Sequence, residues 1–212
     1  MAQNLRAYRS WAVYLVLFLI AFLPRTAAVG AYITVDEQRW IERSVEFIYN
    51  LTHGDLATIS SIHPGVTATW GFGSFLLTRS LIQGDLSALY QMRADNYYDL
   101  PDLLPTAGMF TILVTSFTVL LGYWLLKKLF RGKIAFLAAL LLALNPYYLA
   151  NSRRVHIDAL LASFMFLAVL ALLVYVCSAR EASLRRYLIL SAVFAGLAWL
   201  TKLPALYLVP FT

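Results

Sequence analysis

The stretch LVTSFTVLLGYWLLKKLFRGKIAFLAALLLAL, residues 113–144, places a short basic loop between two apolar runs. The loop KKLFRGK, 127–133, holds four basic residues and no acid. A helix that spans a bilayer needs about 20 mostly apolar residues, and short cytoplasmic loops are enriched in Lys and Arg. The stretch therefore predicts two membrane helices that are joined by a cytoplasmic turn.

The composition of the whole chain is that of a membrane protein. Of its 212 residues, 61% are hydrophobic and only 13% are charged, whereas soluble domains carry about a quarter charged residues. The single cysteine, Cys177, excludes an internal disulfide. The net charge of +6 reflects the basic loops, and because the chain has no nucleic-acid-binding pattern we expect no nucleic-acid partner.

Apolar runs along the chain predict an all-α polytopic membrane protein, with residues 1–212 as a single membrane domain. In the first run, Arg25 lies late enough for its side chain to reach the membrane interface. A cleaved signal peptide is the alternative for this run. A further apolar run starts at Pro204 and is too short to cross, so it predicts a truncated sixth span. The five predicted spans are 11–29, 105–126, 134–150, 157–177 and 187–201.

The basic loops set the predicted orientation. The N-terminal tail and the loops 127–133 and 178–186 fall on one side if the five spans alternate. This side is the cytoplasm, so we expect a plasma-membrane protein with a cytoplasmic N-terminus. The opposite side receives the long loop 30–104, which carries most of the acids. Within that loop, Asn50-Leu51-Thr52 fits an N-glycosylation acceptor.

Two amphipathic helices are predicted within the long outer loop. Residues 35–52 show helical periodicity, with Thr34 as the cap, Glu37 at the capping-box position and HGD at 53–55 as the end. Residues 66–83 predict an interfacial or re-entrant helix. The alternative for 66–83 is a full span, which would invert every later loop.

Three acids stand out because they lie at the membrane boundary. Asp36 and Glu37 follow the first span, where a helix start alone could explain them, since acids are favoured in a first turn. Asp158 lies inside the fourth apolar run. An ionisable group there is costly and is a functional candidate, although a structural pair with Arg154 at i, i+4 is the alternative.

Cations accompany these acids on the same predicted side. His63 precedes Pro64 in a loop, and Lys202 follows the fifth span, where it could simply reach the interface. The remaining cations of this set are Arg153, Arg154 and His156. A carboxylate can take a proton from an acceptor, and cations can neutralise a phosphate leaving group. The acids could also hold a divalent metal ion for the same purpose.

Four motifs in order along the chain resemble the GT-C membrane glycosyltransferases. The nearest group contains the protein O-mannosyltransferases and the lipid A aminoarabinose transferase. The family's Asp-Glu motif is matched by Asp36-Glu37, and its His-Pro element by His63-Pro64. The pattern S-R-x-x-x-x-D-x-x-L-x-x-F is matched by residues 152–164, and G-x-x-x-x-T-K by residues 196–202.

The resemblance implies an inverting transfer of a sugar from a polyprenyl phosphate to an acceptor at the non-cytoplasmic membrane face. Asp36 would be the catalytic base, with Glu37 and Asp158 supporting the acceptor or a divalent metal ion. The metal would lie on Asp36 and Asp158. The partners would be the polyprenyl-phosphate-linked sugar and the lipid bilayer. The residues expected around the lipid phosphate are His63, Arg153, Arg154, His156 and Lys202.

A second interpretation follows from length, because members of the family usually have more than twice as many residues. This chain would then be the N-terminal part of such an enzyme or a shortened relative. A shortened relative could serve as a non-catalytic structural subunit of a larger membrane complex. Small residues along the helices would allow close packing against the other subunits.

Overall fold

The computed structural model describes residues 2–27, 29–55, 65–177 and 185–211. Within these ranges the chain is all-helical and has no strand, which confirms the predicted fold class. The α-helices, in chain order, are α1 Ala2–Thr26, α2 Val35–His53, α3 Val66–Gln83, α4 Leu86–Ala94, α5 Leu100–Leu129, α6 Gly132–Leu144, α7 Pro146–Ser152, α8 Asp158–Cys177 and α9 Arg185–Thr201. A 3-10 helix, Leu203–Phe211, follows α9.

Two of the described helices, α5 and α8, are long and apolar enough to cross a membrane. The pair α6 and α7 qualifies as a third span when taken together, with a bend of 55° between them. The apolar part of α1, Trp11–Thr26, is shorter. The predicted count of five spans is therefore not confirmed and stays a prediction.

The bend between α6 and α7 follows from Pro146, which has no N–H to continue the helical ladder. Asn145 begins α7 instead, because its side-chain oxygen accepts a hydrogen bond from the Tyr148 amide at 2.9 Å.

Arg25 packs against this break. Its Nη1 donates to the carbonyl of Ala21 at 2.6 Å and to that of Ala143 at 3.1 Å. Its guanidinium carbon lies 5.2 Å from the centre of the Tyr148 ring. Arg25 is fully buried, so the prediction that it reaches the interface is wrong. The bend leaves the Ala143 carbonyl free near the end of α6, and this carbonyl gives Arg25 an acceptor inside the protein.

The helix predicted at 35–52 is confirmed as α2, and the one at 66–83 as α3. The Glu37 side chain closes back on Thr34 as the capping box predicts, and α2 ends at Gly54 in the left-handed conformation that glycine favours. The prediction of a glycosylation acceptor is wrong for the folded chain, because Asn50 is a buried residue inside α2.

The apolar face of α2 packs against α3 and α5. The buried side chains Ile41, Val45 and Ile48 of α2 share one cluster with Phe72 of α3 and Leu104 of α5. The same cluster includes residues of α8 and of the 3-10 helix. This packing fixes the start of α2 beside the start of α8 and the end of α9.

Helix α4 was not predicted from the sequence. It docks on α2 through an ion pair in which Arg93 Nε lies 2.6 Å from Glu46 Oε2, with a second hydrogen bond from Arg93 Nη2 to Glu46 Oε1 at 2.9 Å. These bonds hold the pKa of the Glu46 carboxyl below its ordinary value.

Candidate active site

The candidate site lies where the start of α2 meets the linker 153–157 between α7 and α8. The junction of α9 with the 3-10 helix completes it. The start of α3 is tied to this junction, because the Gly65 amide donates to the Leu200 carbonyl at 3.1 Å and the Thr67 and Thr201 hydroxyls lie 2.6 Å apart. Four segments that are distant in sequence therefore converge here.

His156 lies between the two predicted acids. Its Nε2 is 3.7 Å from Asp36 Oδ2, and its Nδ1 is 3.4 Å from Asp158 Oδ2. The Asp158 amide donates to Nδ1 at 3.3 Å. Nδ1 therefore accepts a backbone hydrogen bond, while Nε2 is the ring nitrogen that faces Asp36. One imidazole thus separates the two carboxylates.

Lys202 completes the cluster. Its Nζ lies 2.6 Å from Asp158 Oδ1. Asp158 therefore pairs with the lysine that directly follows α9 and with His156, whereas the exposed Arg154 has no ion pair to it within the described ranges. Each side chain of the cluster lies next to the following one, in the order Asp36, His156, Asp158, Lys202.

The Glu37 side chain forms its hydrogen bonds outside this cluster. Its Oε2 accepts hydrogen bonds from the Thr34 amide at 2.7 Å and the Thr34 hydroxyl at 3.0 Å. Its Oε1 accepts from the amide of Val155 at 3.2 Å. Glu37 is 3% exposed. It ties the start of α2 to the linker, one residue before His156.

Two of the remaining predicted phosphate ligands, Arg153 and Arg154, do not join the cluster. Arg153 donates from Nη2 to the Pro24 carbonyl at 2.7 Å and fixes the linker to α1. Arg154 is exposed. His63 and its neighbour Pro64 lie outside the described residues.

A cavity of about 450 Å³ opens beside the cluster, and we call it the carboxylate cavity. Its polar lining consists of Asp36, Arg39, Arg43, His156 and Lys202, and its apolar lining of Trp40, Ile157, Leu203 and Pro204. Sequence reasoning missed Arg39, Trp40 and Arg43. The signal was present, because positions 36, 39, 40 and 43 share one face of a helix.

Trp40 forms a fixed wall of the carboxylate cavity. It is 5% exposed, and the Gly65 backbone packs so closely that a Cβ there would lie 2.3 Å from the ring. Gly65 also has φ +131°, a conformation that side chains disfavour. The guanidinium carbon of Arg43 lies 5.0 Å from the centre of the Trp40 ring. The tryptophan therefore orients Arg43 from a rigid base.

The described residues do not fit a divalent metal ion on Asp36 and Asp158. Within the described ranges, no group of three or more His, Cys, Asp or Glu side chains is arranged to hold one. Lys202 places its ammonium directly on Asp158, so a cation already balances that carboxylate. We therefore derive no step through a metal.

Comparison with known families gives a match over much of the chain. The family model for dolichyl-phosphate-mannose-protein mannosyltransferase matches residues 73–212, well over half of the chain. The matched region includes Asp158 and Lys202, while Asp36 lies before it. Comparisons with curated proteins and with solved structures give no match. The chain belongs to the dolichyl-phosphate-mannose-protein mannosyltransferase family and is a membrane glycosyltransferase of the GT-C type.

Proposed function

We propose that this protein transfers a sugar from a polyprenyl-phosphate donor to an acceptor at the non-cytoplasmic membrane face, with inversion at the anomeric carbon. The observation that carries the proposal is the carboxylate cavity, in which an exposed carboxylate faces three cationic side chains. The name of the family specifies a dolichyl-phosphate-linked mannose and a protein acceptor. We extend to this chain only the class of donor, a sugar on a polyprenyl phosphate.

Asp36 is the base of the proposed reaction. Its side chain is 59% exposed and lines the cavity, so an acceptor hydroxyl or amine can reach it. Asp36 takes the proton of the acceptor as the acceptor atom forms a bond to the anomeric carbon. The bond between that carbon and the phosphate oxygen breaks, and the electron pair leaves with the phosphate. The products are the glycosylated acceptor, polyprenyl phosphate and a protonated Asp36.

The other members of the cluster position Asp36. Nε2 of His156 faces the Asp36 carboxylate, and the Asp158 amide donates a hydrogen bond to Nδ1 of the same ring. Lys202 holds the Asp158 side chain from the opposite side. Positive charge around the cavity stabilises the negative charge that develops on the leaving phosphate.

The most direct test of the base is Asp36→Asn, assayed with labelled polyprenyl-phosphate sugars and the purified full chain. Asparagine keeps the size of the side chain but cannot take a proton, so we expect the transfer rate to fall about 100-fold or more. Glu42→Gln is the matched control, because it removes another carboxylate of the same helix. The Glu42 carboxylate accepts a hydrogen bond from Gln38 and does not line the cavity.

Full transfer by Asp36→Asn would remove Asp36 as the base. If the wild-type chain transfers no sugar from any donor and instead purifies in a fixed ratio with other membrane proteins, the proposal of an active transferase is wrong and the subunit interpretation takes its place.

A further inference from the structure

Among the described residues, the phosphate ligands that the sequence predicted leave the carboxylate cavity short of free positive charge. The ammonium of Lys202 is neutralised by Asp158 at 2.6 Å. Arg153 is committed to the Pro24 carbonyl, and His156 lies between two carboxylates. Yet a lipid-phosphate donor brings a charged group that must be balanced where it leaves.

Arg39 and Arg43 supply that charge. Both side chains line the cavity, and neither forms an ion pair with an acid in the described part of the chain. Arg43 is half-buried and rests on the Trp40 ring, which restricts its motion while leaving its N–H groups available. A planar guanidinium can donate two parallel hydrogen bonds to one phosphate.

The spacing along α2 allows Asp36 to act as the base while Arg43 binds the phosphate. Arg43 follows Asp36 by seven residues, which is about two turns and about 10 Å along the helix axis. A base reaches its acceptor over about 3 Å, and the acceptor approaches the reacting carbon to about 3–3.5 Å. A phosphate on the far side of that carbon therefore falls near Arg43 when the acceptor lies at Asp36.

We propose that Arg43, assisted by Arg39, binds the phosphate of the polyprenyl-phosphate donor and of the released polyprenyl phosphate. This inference rests on the proposed function for the identity of the lipid. The Trp40 ring holds the Arg43 guanidinium in place, and the glycine at position 65 leaves room for that ring.

The test is binding of sugar-free polyprenyl phosphate to the purified full chain in nanodiscs of neutral phosphatidylcholine. We expect Arg43→Ala to weaken binding about ten-fold or more, because a hydrogen-bonded charge pair is lost. Arg43→Lys keeps the charge without the planar fork, so its affinity should lie between those of the wild type and Arg43→Ala. Arg79→Ala is the control, because Arg79 pairs with Asp102 and does not line this cavity.

Three results would overturn the inference. One is unchanged affinity in a folded Arg43→Ala, or in Arg43→Lys if the alanine variant does not fold. Another is a wild-type chain that does not bind polyprenyl phosphate. The last is equal competition by phosphatidylglycerol vesicles or inorganic phosphate, since the site would then recognise any phosphate group.

A transfer assay on the same preparations separates this inference from the proposed function. If the wild type transfers sugar and Arg43→Ala has an unchanged KM for the donor, the inference is wrong and the function stands. If no preparation transfers sugar but lipid binding still depends on Arg43, the function is wrong and the inference stands.

Discussion

His156 is the residue on which the geometry of the site depends. It lies between Asp36 and Asp158 and touches no other carboxylate in the described ranges. Sequence analysis selected it as a phosphate ligand. The structure places it between two acids, where its Nε2 faces Asp36 at 3.7 Å and can position that carboxylate electrostatically.

Substitutions at His156 distinguish a positioning role from a phosphate-binding role. His156→Gln places a polar amide near the position of Nε2 and should retain more transfer activity than His156→Ala. We expect the alanine variant to lose about 10- to 100-fold in kcat, with little change in KM for the lipid donor. Steady-state kinetics with varied donor measures both constants. A rise in KM at constant kcat would contradict the positioning role.

Helix α2 is the element that organises the site, since it carries Asp36, Arg39, Trp40 and Arg43 on its cavity side. Its start is held by Glu37, which joins Thr34 of its own cap to Val155 of the linker. The acid that the resemblance assigned to acceptor or metal binding is thus engaged in a contact between elements. This contact also sets the position of His156, which follows Val155.

Glu37→Gln tests the link between α2 and the α7–α8 linker. Glutamine offers one oxygen where glutamate offers two, so an amide of Thr34 or Val155 loses its acceptor in a buried place. We expect a loss of about 1–3 kcal/mol in the free energy of unfolding, seen as a lower thermal melting temperature. The variant Glu42→Gln, on the solvent side of the same helix, should melt within a degree or two of the wild type. Equal melting of both variants would show that the buried contact carries no stability.

Elements with a strong local signal were predictable from the sequence, and contacts between elements were not. Helix α2 was marked by its periodicity and by the Thr34 cap, and the start of α8 by an acid in an apolar run. The partner of Asp158 was not predictable, because Arg154 offered a local pair at i, i+4 and nothing near Asp158 in sequence indicated Lys202. The burial of Arg25 was not predictable either, because its acceptor at Ala143 is far away in sequence. Only tertiary packing decides between such options.

The whole molecule has one orientation in which the proposed reaction is possible. The carboxylate cavity lies at the start of the 20-residue helix α8, opposite the end of that helix. Helix α8 is long enough to cross the membrane. If the cavity faces away from the cytoplasm, Cys177 at the last position of α8 faces the cytoplasm. The chain has a single cysteine, and it is exposed.

Thiol labelling of the natural cysteine therefore reports the orientation without mutagenesis. A membrane-impermeant maleimide added to intact cells should leave Cys177 unmodified, and the same reagent should modify it after the membrane is permeabilised. A control variant with Cys177→Ala and Ser87→Cys, whose cysteine lies in α4 on the predicted outer side, should react in intact cells. The reverse pattern would place the carboxylate cavity in the cytoplasm.

The central claim is that Asp36 and Asp158 act as one catalytic unit across His156, and a double-mutant cycle on the transfer rate tests it most directly. Asp36→Asn, Asp158→Asn and the double variant are compared with the wild type under single-turnover conditions. Residues that act as a unit are strongly non-additive, so the double variant should be about as slow as the slower single variant. Rate losses that multiply would mean that the two acids act independently and would contradict the account.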